Sequence, residues 1–166
     1  MTHKPDLDHL IRCFETLSPD SVGVLSTLYD THAYFKDPFN EVRGHDAILS
    51  IFRHMFEQVD APRFEVKLSV LEGDDAFIVW DFRFRMKRRA GSELCIRGSS
   101  HLHFTPRHLV DYHRDYWDSA EELYEKIPGL GWLMRLLRRA AASRNDAADF
   151  QNYCTFNHPT TRRHHV

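Results

Sequence analysis

The 166-residue sequence lacks the features that mark several large classes of protein. It has no apolar run near the ~20 residues that a membrane-spanning helix requires. The segment from Met1 to Asp6 lacks the apolar stretch of a signal peptide. A formal charge of -2 provides no basic excess for the nucleic-acid backbone. We therefore expect no membrane span and no nucleic-acid partner.

Cysteine is also scarce, since Cys13, Cys95 and Cys154 are the only three and no pair has CxxC spacing. Scattered cysteines in odd number are typical of free thiols in a reducing compartment, which predicts a cytoplasmic protein. His101 and His103 share one face of a predicted strand and could both contact a metal, but no third ligand has a convincing spacing. We therefore predict no metal and no other cofactor.

Aromatic residues, by contrast, are plentiful: they make up 13% of the chain and include twelve Phe. Large flat rings suit a core or the wall of a cavity. A chain of this length predicts a single domain, here residues 1–142, that buries ~70% of its unfolded surface. Residues 143–166 lack periodicity and are predicted to form a flexible or partner-dependent tail.

The hydrophobic pattern is helical in the first third of the chain and strand-like after it. Pro62 separates the two parts, because proline ends a helix. Helices are predicted over 7–17, from Ser18 to Tyr29 and from His45 to Val59, and strands at 33–36, 63–72, 75–88, 93–105 and 109–117.

The segment after Pro128 combines leucines with Arg135, Arg138 and Arg139, which predicts a basic amphipathic helix. Such a helix can lie on a membrane surface or dock on a partner. We expect it instead to pack its leucines across the mouth of the domain.

Two short runs and the order of the elements resemble the NTF2-like superfamily. The runs are Lys36-Asp37-Pro38-Phe39 and Arg114-Asp115-Tyr116-Trp117-Asp118. This superfamily includes ketosteroid isomerases, SnoaL-type polyketide cyclases and limonene epoxide hydrolase, and the resemblance covers roughly residues 7–126. It implies an α+β cone, or cystatin-like roll. In this fold N-terminal helices pack against a curved antiparallel sheet, here with a C-terminal amphipathic helix added.

The resemblance to ketosteroid isomerases places Asp37 at the position of their general base. Their oxyanion hole uses a tyrosine and a protonated aspartate. Here the tyrosine position holds Cys13 or Phe14, and the aspartate position holds Ser100. Steroid isomerisation by that mechanism is therefore not expected.

The resemblance to limonene epoxide hydrolase places Asp115 on one of its catalytic acids. The positions of the catalytic Arg and of the other Asp correspond to Phe82 and Phe84. The set that activates water in the epoxide hydrolase is therefore incomplete.

What remains is a predicted pocket with acids between aromatic walls. Burial raises the pKa of a carboxyl group toward the range in which it exchanges protons. Strand alternation places His113 on the same side as Asp115. The predicted catalytic residues are Asp37, Asp115 and His113, and the predicted ligand-binding residues are Trp80, Phe82, Ser100, Trp117, Phe14 and Tyr34. Alternatively, Asp37 caps a turn and Asp115 pairs with a neighbouring arginine.

Two functions are compatible with this pocket. The first is general acid-base catalysis by an isomerase, cyclase or hydrolase on a small hydrophobic carbonyl or hydroxyl compound. The second is a non-catalytic module that binds such a molecule or another protein. Asp81, Arg83 and Arg85 alternate with apolar residues and so face away from the pocket. We expect this convex face of the sheet to form a homodimer.

Overall fold

The computed structural model describes residues 3–87 and 93–119. The predicted turn at residues 90–92, the C-terminal helix and the tail lie outside the described residues, as does the predicted domain boundary at residue 142. The described residues form an α+β fold of three α-helices and one curved, unclosed sheet of six strands. The α+β prediction is therefore confirmed.

The helices bury their apolar faces against one side of the sheet. Helix α1 begins earlier than predicted because Pro5 fits its first turn, and it buries Leu7, Leu10 and Phe14. Gly44 precedes α3 with a φ of 92°, a conformation that glycine adopts without strain. The helices are α1 (Lys4–Glu15), α2 (Leu25–Leu28) and α3 (His45–Gln58), and a 3-10 turn (Val22–Val24) precedes α2. None of them is long and apolar enough to span a membrane.

The strands follow the order β2-β1-β6-β5-β4-β3 across the sheet. Neighbouring strands are antiparallel except β1 and β6, which are parallel, so the sheet is mixed rather than purely antiparallel as predicted. The strands are β1 (Tyr29–Lys36), β2 (Glu41–Arg43), β3 (Val59–Glu72), β4 (Asp75–Met86), β5 (Leu94–Phe104) and β6 (Val110–Tyr116).

The first strand differs most from its prediction. The helix predicted from Ser18 to Tyr29 is only a 3-10 turn followed by the single turn of α2, and Tyr29 starts β1. The pairing of Tyr29 with Val110 extends β1 at this end. Strand β2 was not predicted because three residues are too short to show a period of two.

Strand alternation gives the sheet an inner and an outer face. Ile78, Trp80, Phe82 and Phe84 of β4 point into the core, as the sequence pattern predicts. Asp81 lies on the outer face, yet it is only 2% exposed. The long side chains of Lys67, Arg83 and Arg97 surround its carboxylate and offset the cost of its burial.

A glycine allows the inner face to close around its largest side chain. Trp80 of β4 is paired with Gly98 of β5, and its indole lies directly over this glycine. A methyl group at Gly98 would lie 2.5 Å from Cη2 of Trp80. Any side chain at residue 98 would therefore displace the indole.

The Gly98→Ala variant should be less stable than the wild type by ~1–3 kcal/mol, because overpacking a filled core forces side chains off their rotamers. Gly23→Ala is the matched control, since no atom lies within 4 Å of its added methyl group. Urea denaturation followed by circular dichroism measures both changes. Equal stability of the two variants would contradict this account of Gly98.

Candidate active site

A small cavity lies between the helices and the inner face of the sheet. Its volume is about 30 Å³, enough to hold a water molecule. The wall is apolar except on the β5 and β6 side and beside the Trp80 indole nitrogen. The lining residues are Phe14, Phe52, Phe64, Val66, Ile78, Trp80, Ser100, His113 and Asp115.

Asp115 provides the carboxylate of this cavity. It lies near the end of β6, opposite Ser100 of β5 in the register, and its side chain is 17% exposed. Its oxygen Oδ1 accepts a hydrogen bond from the Ser100 hydroxyl at 2.5 Å and another from Nε2 of His113 at 2.8 Å. Two charge-assisted hydrogen bonds stabilise an ionised carboxylate between apolar walls.

His113 links this carboxylate to a buried phenol. Nδ1 of His113 lies 2.5 Å from the hydroxyl oxygen of Tyr29, and the two rings stack with their centroids 5.9 Å apart. Because a carboxylate only accepts, Nε2 of the imidazole donates to Asp115. With a neutral imidazole, Nδ1 then accepts from the Tyr29 hydroxyl. The order of donation is therefore Tyr29 to His113 to Asp115.

Burial keeps Tyr29 in its protonated form. Desolvation of the phenol, and then the negative charge of Asp115, raise the pKa of Tyr29 well above its ordinary value of 10. The hydroxyl therefore keeps the proton that it donates to a neutral His113. This fixes the imidazole tautomer, since one ring nitrogen must accept while the other donates.

A second line of hydrogen bonds reaches Asp115 from the opposite direction. The indole Nε1–H of Trp80 donates to the Ser100 hydroxyl oxygen at 2.8 Å, which leaves the Ser100 proton to donate to Asp115. Ser100 is 2% exposed. The Asp115 carboxylate is therefore oriented from both sides through Oδ1, and neither hydrogen bond uses Oδ2.

This arrangement suits proton transfer at the cavity. A carboxylate that is fixed in place at a cavity can accept a proton from a group that reaches it. Ser100 and His113 stabilise its charged form, and the Tyr29 hydroxyl is hydrogen-bonded to the far nitrogen of the imidazole. No other carboxylate lines this cavity in the described part of the chain.

Asp37 lies apart from the cavity, in the turn between β1 and β2. Its Oδ1 accepts hydrogen bonds from the backbone N–H groups of Phe39 at 2.7 Å and Asn40 at 2.6 Å. The side-chain amide of Asn40 donates to both carboxylate oxygens. This geometry is that of the turn cap, the alternative role that the sequence left open for Asp37. It does not bring Asp37 together with Asp115 at one cavity.

Three predicted ligand-binding residues also lie outside the cavity lining. Phe35 of β1 points inward, so its neighbour Tyr34 lies on the opposite side of the sheet. There the Tyr34 hydroxyl donates a hydrogen bond to Glu41 at 2.9 Å. Phe82 is in the core and stacks on a ring of β3. Trp117 follows β6 and packs edge-to-face on Phe39 in the β1–β2 turn. Phe14, Trp80, Ser100, His113 and Asp115 do meet at the cavity.

The sequence prediction missed Tyr29 as a functional candidate. Tyr29 and His113 are separated by 84 residues, and only the parallel pairing of β1 with β6 brings them together. Phe52 and Phe64 were assigned to a helix and a strand without any indication that they share a wall. The one available signal for Tyr29 was a polar aromatic group within an apolar face, which needs a buried hydrogen-bond partner.

Comparison with known proteins agrees with this fold and defines its class. An NTF2-like protein from Exiguobacterium sp. 255-15 is 18% identical and superposes with a TM-score of 0.59 over 68% of this chain and 98% of its own. A protein from Catenulispora acidiphila with a ketosteroid isomerase-like fold, in complex with trimethylamine, gives a TM-score of 0.63. It is 14% identical over 74% of this chain and 92% of its own. The fold is therefore NTF2-like.

The family follows from a match to the SnoaL-like domain over residues 10–112, which is more than half of the chain. The chain belongs to the SnoaL-like family. An LEH-like epoxide hydrolase from M. tuberculosis is also similar in structure, with a TM-score of 0.60 and 10% identity over 82% of this chain and 96% of its own. No curated protein matches the sequence.

The Tyr29→Phe variant should be less stable than the wild type by ~1–3 kcal/mol, because Nδ1 of the buried His113 loses its donor. Tyr34→Phe is the matched control: its hydroxyl bonds Glu41 at an exposed site, so we expect a change within ~0.5 kcal/mol. Urea denaturation at neutral pH compares the two. A Tyr29→Phe variant as stable as Tyr34→Phe would contradict the proposed order of hydrogen-bond donation.

Proposed function

We propose that this SnoaL-like protein is a general acid-base enzyme whose base is Asp115. Its substrate would be a small, largely apolar molecule that carries a carbonyl or hydroxyl group. The observation that supports this most is the Asp115 carboxylate at an otherwise apolar cavity, held by Ser100 and His113 at hydrogen-bonding distance. Proton transfer of this kind is a step that base-catalysed isomerisation, cyclisation and hydrolysis share.

For a carbonyl substrate the proposed step is removal of a proton from the carbon next to the carbonyl. The C–H bond breaks, the proton moves to a carboxylate oxygen of Asp115, and the electron pair forms an enolate. Asp115 then returns the proton to the same carbon or another. Ser100 and His113 stabilise the ionised carboxylate before and after this exchange. Proton transfer of this kind uses side chains alone, so we propose no metal or organic cofactor at this cavity.

Asp37, the counterpart of the isomerase base, has the weaker claim to this role. Both of its carboxylate oxygens accept hydrogen bonds within the turn, whereas the two hydrogen bonds to Asp115 both use Oδ1. Taking up a proton would therefore weaken the turn at Asp37. The role of Asp37 in catalysis stays a prediction, and the experiment below separates it from that of Asp115.

The size of the cavity favours a second function, that of a non-catalytic module that binds another protein. At about 30 Å³ it holds a water molecule rather than a substrate, so a larger molecule must displace lining side chains such as Phe14 or Phe64. The hydrogen bonds among Tyr29, His113 and Asp115 would then serve to hold β1 and β6 together.

Asp115→Asn should slow proton exchange by ~100- to 10,000-fold, because the amide cannot accept the proton that the carboxylate removes. The assay is exchange of carbon-bound protons for deuterium in a panel of small apolar ketones, followed by NMR. Asp111→Asn is the matched control, since Asp111 lies on the same strand and pairs with His103 on the outer face.

The outcomes separate the hypotheses. Loss of exchange in Asp115→Asn with exchange retained in Asp111→Asn and Asp37→Asn supports the proposed base. Loss in Asp37→Asn alone would assign the chemistry to the turn residue instead. Failure of the wild type to exchange any ketone that it binds would support the non-catalytic module.

We further propose that the outer face of the sheet forms a homodimer. Leu68, Val70 and Phe77 on this face are 56%, 52% and 49% exposed. Val70 is paired with Phe77 in the β3–β4 register, so these side chains form one patch. Exposed apolar patches of adjacent residues are typical of interfaces. Two copies related by a two-fold axis would cover the patch with the same patch.

Phe77→Glu should convert the dimer to a monomer, because it places a charge in the centre of the proposed interface. Phe39→Glu is the control: Phe39 is similarly exposed, at 53%, but lies in the β1–β2 turn. Sedimentation equilibrium at micromolar concentration reports the mass of each. A wild-type monomer, or a dimer that persists in Phe77→Glu, would exclude this interface.

A further inference from the structure

A second cluster of polar side chains lies far from the cavity, where α1 begins. Oδ2 of Asp6 is 2.9 Å from Nδ1 of His3 and 2.7 Å from Nδ1 of His108. His3 and Asp6 belong to the start of α1, whereas His108 is in the turn between β5 and β6. The three ligand atoms all lie within 4.8 Å of one another. Two imidazoles and a carboxylate therefore converge on one point from distant parts of the chain.

The two contacts to Asp6 are near the ligand separations of a metal coordination sphere. Zinc binds imidazole nitrogen and carboxylate oxygen at ~2.0–2.2 Å in tetrahedral geometry. Ligand atoms in such a sphere are separated by roughly 3.3 Å. The two contacts to Asp6 would lengthen by about half an ångström to admit the ion. Rotation of the His108 ring, which is 47% exposed, and movement of the Asp6 carboxylate, which is 23% exposed, can supply these shifts.

The surroundings of His3 match those of a metal-binding histidine. Its side chain is 3% exposed and stacks on Phe104, with centroids 5.2 Å apart and planes 12° apart. While Nδ1 faces Asp6, Nε2 lies 3.3 Å from Oδ1 of Asp74. Metal-bound histidines commonly donate their second ring N–H to a carboxylate, which orients the ring and fixes the tautomer. Asp74 is placed to accept that hydrogen bond.

His108 is brought to the cluster by an unusual backbone conformation. Its φ is 64°, in the left-handed region that residues other than glycine rarely adopt. The N–H of His108 donates to the carbonyl of Thr105 at 2.9 Å, which holds the turn in this shape. A strained residue that points its side chain at a polar cluster is typical of ligand sites.

The carboxylate of Asp6 is ready to act as a ligand. Burial raises its pKa, but hydrogen bonds from His108 and His3 and their positive charge outweigh burial and hold the pKa of Asp6 below its ordinary value of 3.8. The group is therefore ionised at neutral pH.

We propose that His3, Asp6 and His108 bind one divalent transition-metal ion, of which Zn²⁺ is the natural probe, with Asp74 as the acceptor behind His3. On binding, Nδ1 of each histidine presents its lone pair to the metal: a neutral ring moves its proton to Nε2, and a doubly protonated ring releases the Nδ1 proton to solvent. The exposed side of His108 leaves the remaining coordination position to water. The ion would join the first turn of α1 to the β5–β6 turn. It would not take part in the chemistry at Asp115.

The prediction of no metal was based on His101 and His103. In the structure these two histidines have different partners. His101 pairs with Asp75 and His103 with Asp111, each at a separate point on the outer face. The His3–Asp6–His108 cluster joins residues 102 positions apart, so no sequence spacing could indicate it.

The test is titration of the full chain with Zn²⁺, measured by isothermal calorimetry and by thermal unfolding. The chain has twelve histidines, so weaker sites elsewhere are separated by comparing variants. His108→Gln and Asp6→Asn should each remove one Zn²⁺ per chain and abolish a rise in Tm of ~5 °C or more. Asp74→Asn should weaken the same site by ~10- to 100-fold, as loss of an acceptor behind a ligand does.

His101→Gln is the matched control, because it also removes one member of a histidine–aspartate pair, at a 2.6 Å contact with Asp75. It should retain the ion and the rise in Tm. Co²⁺ in place of Zn²⁺ gives a visible spectrum that should lose its tetrahedral bands in Asp6→Asn. Unchanged stoichiometry and unchanged Co²⁺ spectra in both His108→Gln and Asp6→Asn, with normal circular dichroism, would overturn the proposal.

Discussion

The hydrogen bonds to Oδ1 of Asp115 are the interaction that allows a charged group in the interior of this protein. A carboxylate between phenylalanine and isoleucine side chains is costly unless its charge is met by donors. Here the donors come from β5 and from β6 itself, and each is held by a further residue, Trp80 of β4 or Tyr29 of β1. Four neighbouring strands are thereby tied to one oxygen atom. The core can accommodate an acid because the acid is fully hydrogen-bonded at that atom.

The hydrogen bond from Trp80 to Ser100 also explains why residue 98 is a glycine. Without a side chain at Gly98, the indole of Trp80 lies across β5 and reaches Ser100 with its only polar atom. The fold therefore uses its largest aromatic ring as both core packing and a donor. A side chain at Gly98 would affect the orientation of Asp115 through the hydrogen bonds from Trp80 to Ser100 and from Ser100 to Asp115.

Much of the fold could be predicted from the sequence because periodicity reports directly which face of an element is buried. Alternation in β4 identified Trp80 and Phe82 as inward residues, and alternation in β6 placed His113 and Asp115 on one face. The prediction was less successful where geometry depends on pairing at long range. Tyr29 acquired its role from the parallel β1–β6 register, and the position of Asp37 was set by hydrogen bonds within its own turn. The family resemblance indicated an acid at each position, but only the register shows which acid faces the cavity.

The position of β6 has a consequence for how this protein folds. It is the last strand in the described part of the chain, yet it lies in the middle of the sheet, between β1 and β5. Until residues 110–116 are in place, the β1–β2 hairpin and the β3–β4–β5 meander share no strand-to-strand contact. Closing a long loop before its contacts form is slow. On a ribosome, both halves would therefore expose the strand edges that flank the gap until the final strand inserts, and this interval is when the chain is most open to mispairing with other chains.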